Sequence, residues 1–220
     1  MSVLQLQSKN TKENGERGLL SIGREINTLV ALSVNVLTSQ SPDSTVVAGL
    51  SEALRGEQTL GAQIEHLQHN ARLSPESAQV EQALLQLDRA KDHAVAIAKI
   101  VQGLSRGSSQ RVLLDLPGMA GCVRYMLSTA LEALVAEDQE LVEMVALTQE
   151  QVEAFAKQLR ERLQSWMAAD QEAAAMLSVV RHLEHIAGCA VQITAPACQE
   201  AVQETRRIVP VKRSLCACPA

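Results

Sequence analysis

Apolar residues recur along this chain every three or four positions, over stretches too long for strands. From about Glu16 to Thr38 the stripe reads Leu19, Ile22, Ile26, Leu29, Val30, Val36 and Leu37. Ser39-Gln-Ser-Pro-Asp-Ser44 interrupts it, and there Ser41 can cap a new helix with Pro42 in its first turn. A second helix is expected from there to about Leu73. Ser74-Pro75-Glu76-Ser77 repeats the start signal for a third, whose stripe is Val80, Leu84, Leu87, Ala94, Ile97 and Val101. Leu116-Pro117-Gly118 opens a fourth helix, with Met119, Val123, Met126, Leu127, Leu131 and Leu134 on one side. Asp138 is placed to cap a fifth, marked by Leu141, Val145, Val152, Phe155, Leu159 and Trp166. Asp170 is placed to cap a sixth, with Met176, Val180, Leu183, Ala187 and Ala190 at four-three spacing, the seam pattern of packed helices.

The pattern predicts an all-α protein of six long helices. The Gly/Ser segment from Ser105 to Ser109 is the best internal boundary. It gives a first three-helix bundle over 16–105, a linker over 106–115 and a second three-helix bundle over 116–207. Connections are short, so neighbouring helices run antiparallel. The polar residues 1–15 read as a disordered arm, and 208–220 as a tail without periodicity.

One segment occurs twice. Leu87-Asp-Arg-Ala-Lys-Asp-His-Ala-Val-Ala-Ile97 has a counterpart in Leu183-Glu-His-Ile-Ala-Gly-Cys-Ala-Val-Gln-Ile193. Leu87/Leu183, Asp88/Glu184, Ala94/Ala190, Val95/Val191 and Ile97/Ile193 match in register. The two bundles therefore look like copies of one unit.

Composition narrows the function. One Trp, one Tyr and one Phe leave an aliphatic core and no stacking platform for single-stranded nucleic acid. A net charge of −5 also disfavours nucleic acid as partner. No run of about 18 or more apolar residues is present, so contact with a membrane would be peripheral at most. Five scattered cysteines fit reduced thiols in a cytoplasm better than a disulfide framework, and Cys216-Ala-Cys218 alone makes an incomplete metal site. Enzyme signatures are absent: no phosphate-binding glycine loop and no nucleophile elbow.

Candidate chemistry lies in acids and histidines. Asp88 and Asp92 share a helix face four residues apart, and their charges need a cation, a basic side chain or water between them. Lys91 and Arg89 on the same helix can supply that balance. Alternatively, paired carboxylates suit a hard cation. His66 with His69, and His182 with His185, stand three apart and could each chelate a transition metal.

At these residues the chain resembles the PhoU family of phosphate-transport regulators, which are built from two three-helix bundles. That family carries an acid-x-x-x-Asp motif on the third helix of each bundle. Asp88-Arg-Ala-Lys-Asp92-His93-Ala94 is similar to the first copy, and Glu184-His-Ile-Ala-Gly188-Cys-Ala190 to the second. Gly188 replaces the second motif's metal-binding Asp. On the middle helices the family reads Asp-x-x-Val-Asp; here Glu57-Gln-Thr-Leu60-Gly61 and Gln149-Glu-Gln-Val152-Glu153 each keep one acid. The resemblance covers about Glu16 to Arg207. It implies metal ligands at Glu57, Asp88 and Asp92 in the first bundle and at Glu153 and Glu184 in the second. A divalent or iron-type metal is expected, if anywhere, at the first bundle, with His93 as an added ligand.

The resemblance also implies a non-enzymatic cytoplasmic regulator of phosphate uptake or phosphate signalling. Its partners would be a phosphate transporter, a membrane-bound sensor kinase and a second copy of itself in a homodimer. Two other readings stand beside it: a metal-storage or metal-dependent catalytic bundle, and an adaptor of this fold no longer linked to phosphate.

Overall fold

The computed structural model describes residues 3–39, 42–73, 78–104, 115–166 and 171–208, with side chains placed over 14–39, 42–73, 78–104, 115–165 and 172–196. Every element among these residues is a helix: α1 (Val3–Thr38), α2 (Ser44–Arg55), α3 (Glu57–Arg72), α4 (Ala78–Gly103), α5 (Asp115–Ala136), α6 (Gln139–Trp166) and α7 (Gln171–Ile208). The all-α architecture is the one the periodicity predicts. The expected starts at Ser74-Pro75 and Asp170, the linker from Ser105 to Leu114 and the tail beyond Ile208 lie outside the described residues.

Three local expectations change. The second helix is two, α2 and α3, broken at Gly56, whose N–H still reaches back to the Glu52 carbonyl at 3.1 Å. Glycine is a poor helix former, and Glu57 restarts the helix with an acid in its favoured first turn. The cap of α2 is Asp43, not Ser41: its carboxylate accepts from the Thr45 N–H at 3.0 Å, so Pro42 precedes the helix. Finally, α1 begins at Val3, so helix replaces the disordered arm expected over 1–15. That stretch has no proline, and Leu4, Gln5, Leu6, Gln7, Lys9 and Lys12 all favour helix.

Other ends follow the sequence. Asp138 caps α6 through Oδ1, which accepts the Glu140 N–H at 2.8 Å. Just before it, Glu137 takes a positive φ of 54°, and the Asp138 N–H returns to the Ala133 carbonyl at 3.1 Å. This is the left-handed C-terminal closure usually given to glycine.

The first bundle is α1, α3 and α4, with α2 against α1; the second is α5, α6 and α7. They do not stand apart. α1 packs on α5 and α4 on α7, so one buried core runs through both. Leu84, Leu87 and Ala94 are fully buried in the first bundle, as are Val180, Leu183, Ala187 and Ala190 in the second. α5 has the length and apolarity of a membrane-crossing helix, but Leu116, Met119, Val123, Met126 and Leu127 spend that apolarity inside the core.

The α1–α5 seam is tight and partly polar. A Cβ on Gly23 would stand 2.3 Å from Leu131 Cδ1, so any larger residue there would force the buried Leu131 side chain to move. One turn on, buried Asn27 donates through Nδ2 to the Arg124 carbonyl at 3.1 Å and to Ser128 Oγ at 2.9 Å. These bonds fix how the bundles register against each other.

Leu183→Ala should cost about 2–5 kcal/mol by removing a fully buried side chain, and a melting curve unchanged from wild type would contradict the packing. Two glycine substitutions should differ in sign. Gly23→Ala should destabilise by about 1–3 kcal/mol through overpacking against Leu131. Gly121→Ala, exposed in α5 with nothing within 4 Å of the new Cβ, should stabilise by about 0.5–1 kcal/mol. Chemical denaturation of both variants checks this pair.

Candidate functional site

The acids singled out by sequence sit at the half-buried and exposed edges of α3, α4, α6 and α7, and most face basic side chains. On α4, Lys91 Nζ lies 2.7 Å from Asp88 Oδ1 and 3.2 Å from Asp92 Oδ1. The lysine side chain is only 12% exposed while the carboxylates are 41% and 66% exposed, so the ammonium lies on their inner side. Burial works to lower the Lys91 pKa, but hydrogen bonds and charge from Asp88 and then Asp92 outweigh it and raise the value above normal. Glu57 on α3 pairs instead with Lys99, Oε2 to Nζ at 3.1 Å.

In the second bundle Arg160 of α6 donates through Nη1 to Glu184 Oε1 on α7. Glu153 does not join that pair; its Oε1 accepts from Gln149 Nε2 at 2.9 Å within α6. Gly188 has open space around it, since an added Cβ would meet nothing within 4 Å.

These residues do not fit a hard cation as placed. Such an ion needs six or more oxygens at short range. Asp88 and Asp92 converge on an ammonium, and Glu57 turns to a different lysine. Among the described residues no group of three or more His, Cys, Asp or Glu side chains is placed to hold a metal.

The structure assembles a constellation that sequence reading missed. His93 of α4 meets His182 and His185 of α7 where the bundles touch. His93 Nδ1 is 3.1 Å from His182 Nδ1, and the His93 ring stacks on His185 with centroids 4.7 Å apart and planes 14° apart. The short nitrogen contact requires one ring to donate and the other to accept. His66 and His69 stay on the exposed side of α3, where Asn70 Nδ2 lies 3.5 Å from His66 Nδ1.

The repeat contained a hint of this contact. In the register that aligns Leu87 with Leu183, His93 corresponds to Cys189 and His185 to Arg89. The His93–His185 contact thus has a mirror pair in Cys189 and Arg89, and the Arg89 charge does act on the Cys189 thiol. Reciprocal pairing of this kind is what two copies facing each other across an axis would give.

Titration follows from the packing. Burial, then the charges of His185 and His182, hold the His93 pKa below its ordinary 6.5, with Asp92 opposing. Burial and then His185 do the same for His182. Burial pushes the Cys189 thiol up to about 11, and Cys122 is raised for the same reason.

Residues 116–195, the body of the second bundle, match the PhoU domain family. Over about nine-tenths of the chain the fold is that of PhoU. The crystal structure of PhoU from Pseudomonas aeruginosa superposes with a TM-score of 0.76 at 20% identity, over 89% of this chain and 99% of that one. The phosphate transport system regulatory protein PhoU from Streptococcus pneumoniae gives a TM-score of 0.72 at 17% identity, over 91% of this chain and 98% of that one. No curated protein sequence matches the chain. The PhoU architecture therefore extends over the first bundle as well, beyond the reach of the domain match.

The histidine pair predicts a pH response. Because the folded pKa values of His93 and His182 are depressed, the unfolded chain binds more protons below about pH 6.5. Their contribution to stability is complete above that value and is lost as the pH falls below it. Melting temperature should drop between about pH 7.5 and about pH 5.5, and less steeply in His93→Gln. Identical slopes in wild type and variant would contradict the contact.

Proposed function

We propose that this chain is a non-enzymatic PhoU-like regulator of phosphate uptake and phosphate signalling, working by docking its helical faces onto a phosphate transporter and a membrane-bound sensor kinase. The observation that carries the reading is the fold likeness over nearly the full length of PhoU, both bundles included. The PhoU domain match over 116–195 supports it independently. The Streptococcus pneumoniae neighbour is described as a regulatory protein of the phosphate transport system, which gives the process.

The side-chain chemistry favours binding over catalysis. Cys189 is buried with a thiol pKa of about 11, too high for a nucleophile at neutral pH. Asp88, Asp92, Glu57 and Glu184 are held in ion pairs with Lys91, Lys99 and Arg160. Surface apolar groups offer contact area instead: Met144 and Leu147, three apart on α6, are 41% and 59% exposed, and Tyr125 on α5 is 46% exposed. A helical face of this kind suits partner helices. On this reading the protein works in the cytoplasm, as a homodimer, and meets the membrane only through its partners.

A second reading rests on the departures at Gly61 and Gly188: an adaptor of the same fold that has left phosphate control. Affinity capture from cells grown with and without phosphate separates the two. The proposal expects transporter or kinase components in at least one condition, and weaker recovery with Leu147→Glu. Recovery of neither component in either condition contradicts it.

A further inference from the structure

We propose that this chain carries its own cations where the resemblance implies metal: the Lys91 ammonium balances the acid face of the first bundle and the Arg160 guanidinium that of the second. Two carboxylates one turn apart repel unless a positive charge lies between them. Lys91 Nζ provides that charge at 2.7 Å and 3.2 Å, and its three N–H donors can serve both oxygens together.

The opposite wall of this site is Gly61 on α3. A Cβ built there would stand 3.7 Å from Lys91 Nζ, so position 61 looks directly at the ammonium. This is the middle-helix position where the PhoU pattern has its second acid. Position 61 thus lacks the family's carboxylate and faces an ammonium instead. A third acid would deepen the negative charge and favour a doubly charged ion, whereas one ammonium already offsets half the charge of Asp88 and Asp92 and fills the space between them. Glu57, the remaining acid of the middle-helix motif, is drawn off by Lys99.

The second bundle reaches the same end by another route. Gly188 removes the second carboxylate of the α7 motif, and the remaining Glu184 takes one guanidinium from α6. A Cβ at Gly188 would meet nothing within 4 Å, so no close contact at that carbon calls for glycine. In both bundles fewer acids stand than in the family pattern, and a basic side chain lies against Asp88 and Asp92 in the first and against Glu184 in the second. The chain would then hold its acid faces in one state whatever the metal supply. This inference is independent of whether the chain controls phosphate, so its failure and that of the docking proposal are told apart by different measurements.

The test uses the full chain, stripped with chelator and titrated with manganese(II) as the hard-cation probe. Binding is read from the free-ion resonance signal and stability from the melting temperature. Wild type and Lys91→Arg should take up no stoichiometric manganese, and their melting temperatures should not respond to it. Lys91→Met should melt lower and be restored by manganese, because its two acids are left facing each other. Adding Gly61→Asp to Lys91→Met should tighten manganese binding about tenfold or more by supplying another carboxylate. Gly61→Asp alone, with Lys91 in place, should bind none. One manganese per wild-type chain, lost in Asp88→Asn and Asp92→Asn, would overturn the proposal. So would a Lys91→Met variant whose melting and manganese response match wild type.

Discussion

The constraint on which this fold depends is a core built almost without aromatic rings. With one Trp, one Tyr and one Phe in 220 residues, burial must come from many small aliphatic contacts. Such contacts stabilise only when helices approach closely, because dispersion falls away within fractions of an ångström. The chain meets this with alanine, as at Ala90, Ala94, Ala98, Ala187 and Ala190, and with glycine where even alanine is too large. Gly23 against Leu131 is the extreme case, and it lies between bundles rather than inside one. Close approach at α1–α5 and α4–α7 merges two small cores into one. A single three-helix bundle of this composition would bury less of its surface and be correspondingly marginal.

Charge is organised around that core. The α4–α7 contact places three imidazoles together, and burial keeps two of them from charging readily. At the outer edges the acids of the repeated motif each meet a cation of the chain itself, apart from Glu153 with Gln149. A basic side chain thus lies against Asp88, Asp92 and Glu184, while Tyr125 on α5 and Met144 and Leu147 on α6 stay exposed.

The helical stripes were legible because they obey a local rule: a residue three or four positions from another shares its face. Leu84, Leu87, Val180 and Leu183 were placed correctly on this basis, as was the Asp138 cap. The break at Gly56 was not legible, since one glycine in a helical pattern is compatible with either continuing or stopping. The start at Val3 was missed because a polar stretch without a stripe gives the periodicity nothing to detect. For the acids, the sequence made visible only the partner on the same helix, Lys91 for Asp88 and Asp92. Lys99 for Glu57 and Arg160 for Glu184 come from neighbouring helices, and no spacing rule pairs them. The meeting of His93 with His182 and His185 needs the bundle-to-bundle contact itself, which the repeat suggests only once its two copies are set face to face.

The two bundles form one body through a shared core. Differential scanning calorimetry tests it most directly. A continuous core predicts one cooperative transition, with the calorimetric enthalpy equal to the van't Hoff enthalpy. Two resolved transitions, or a calorimetric enthalpy well above the van't Hoff value, would mean that the bundles melt independently and would contradict the claim.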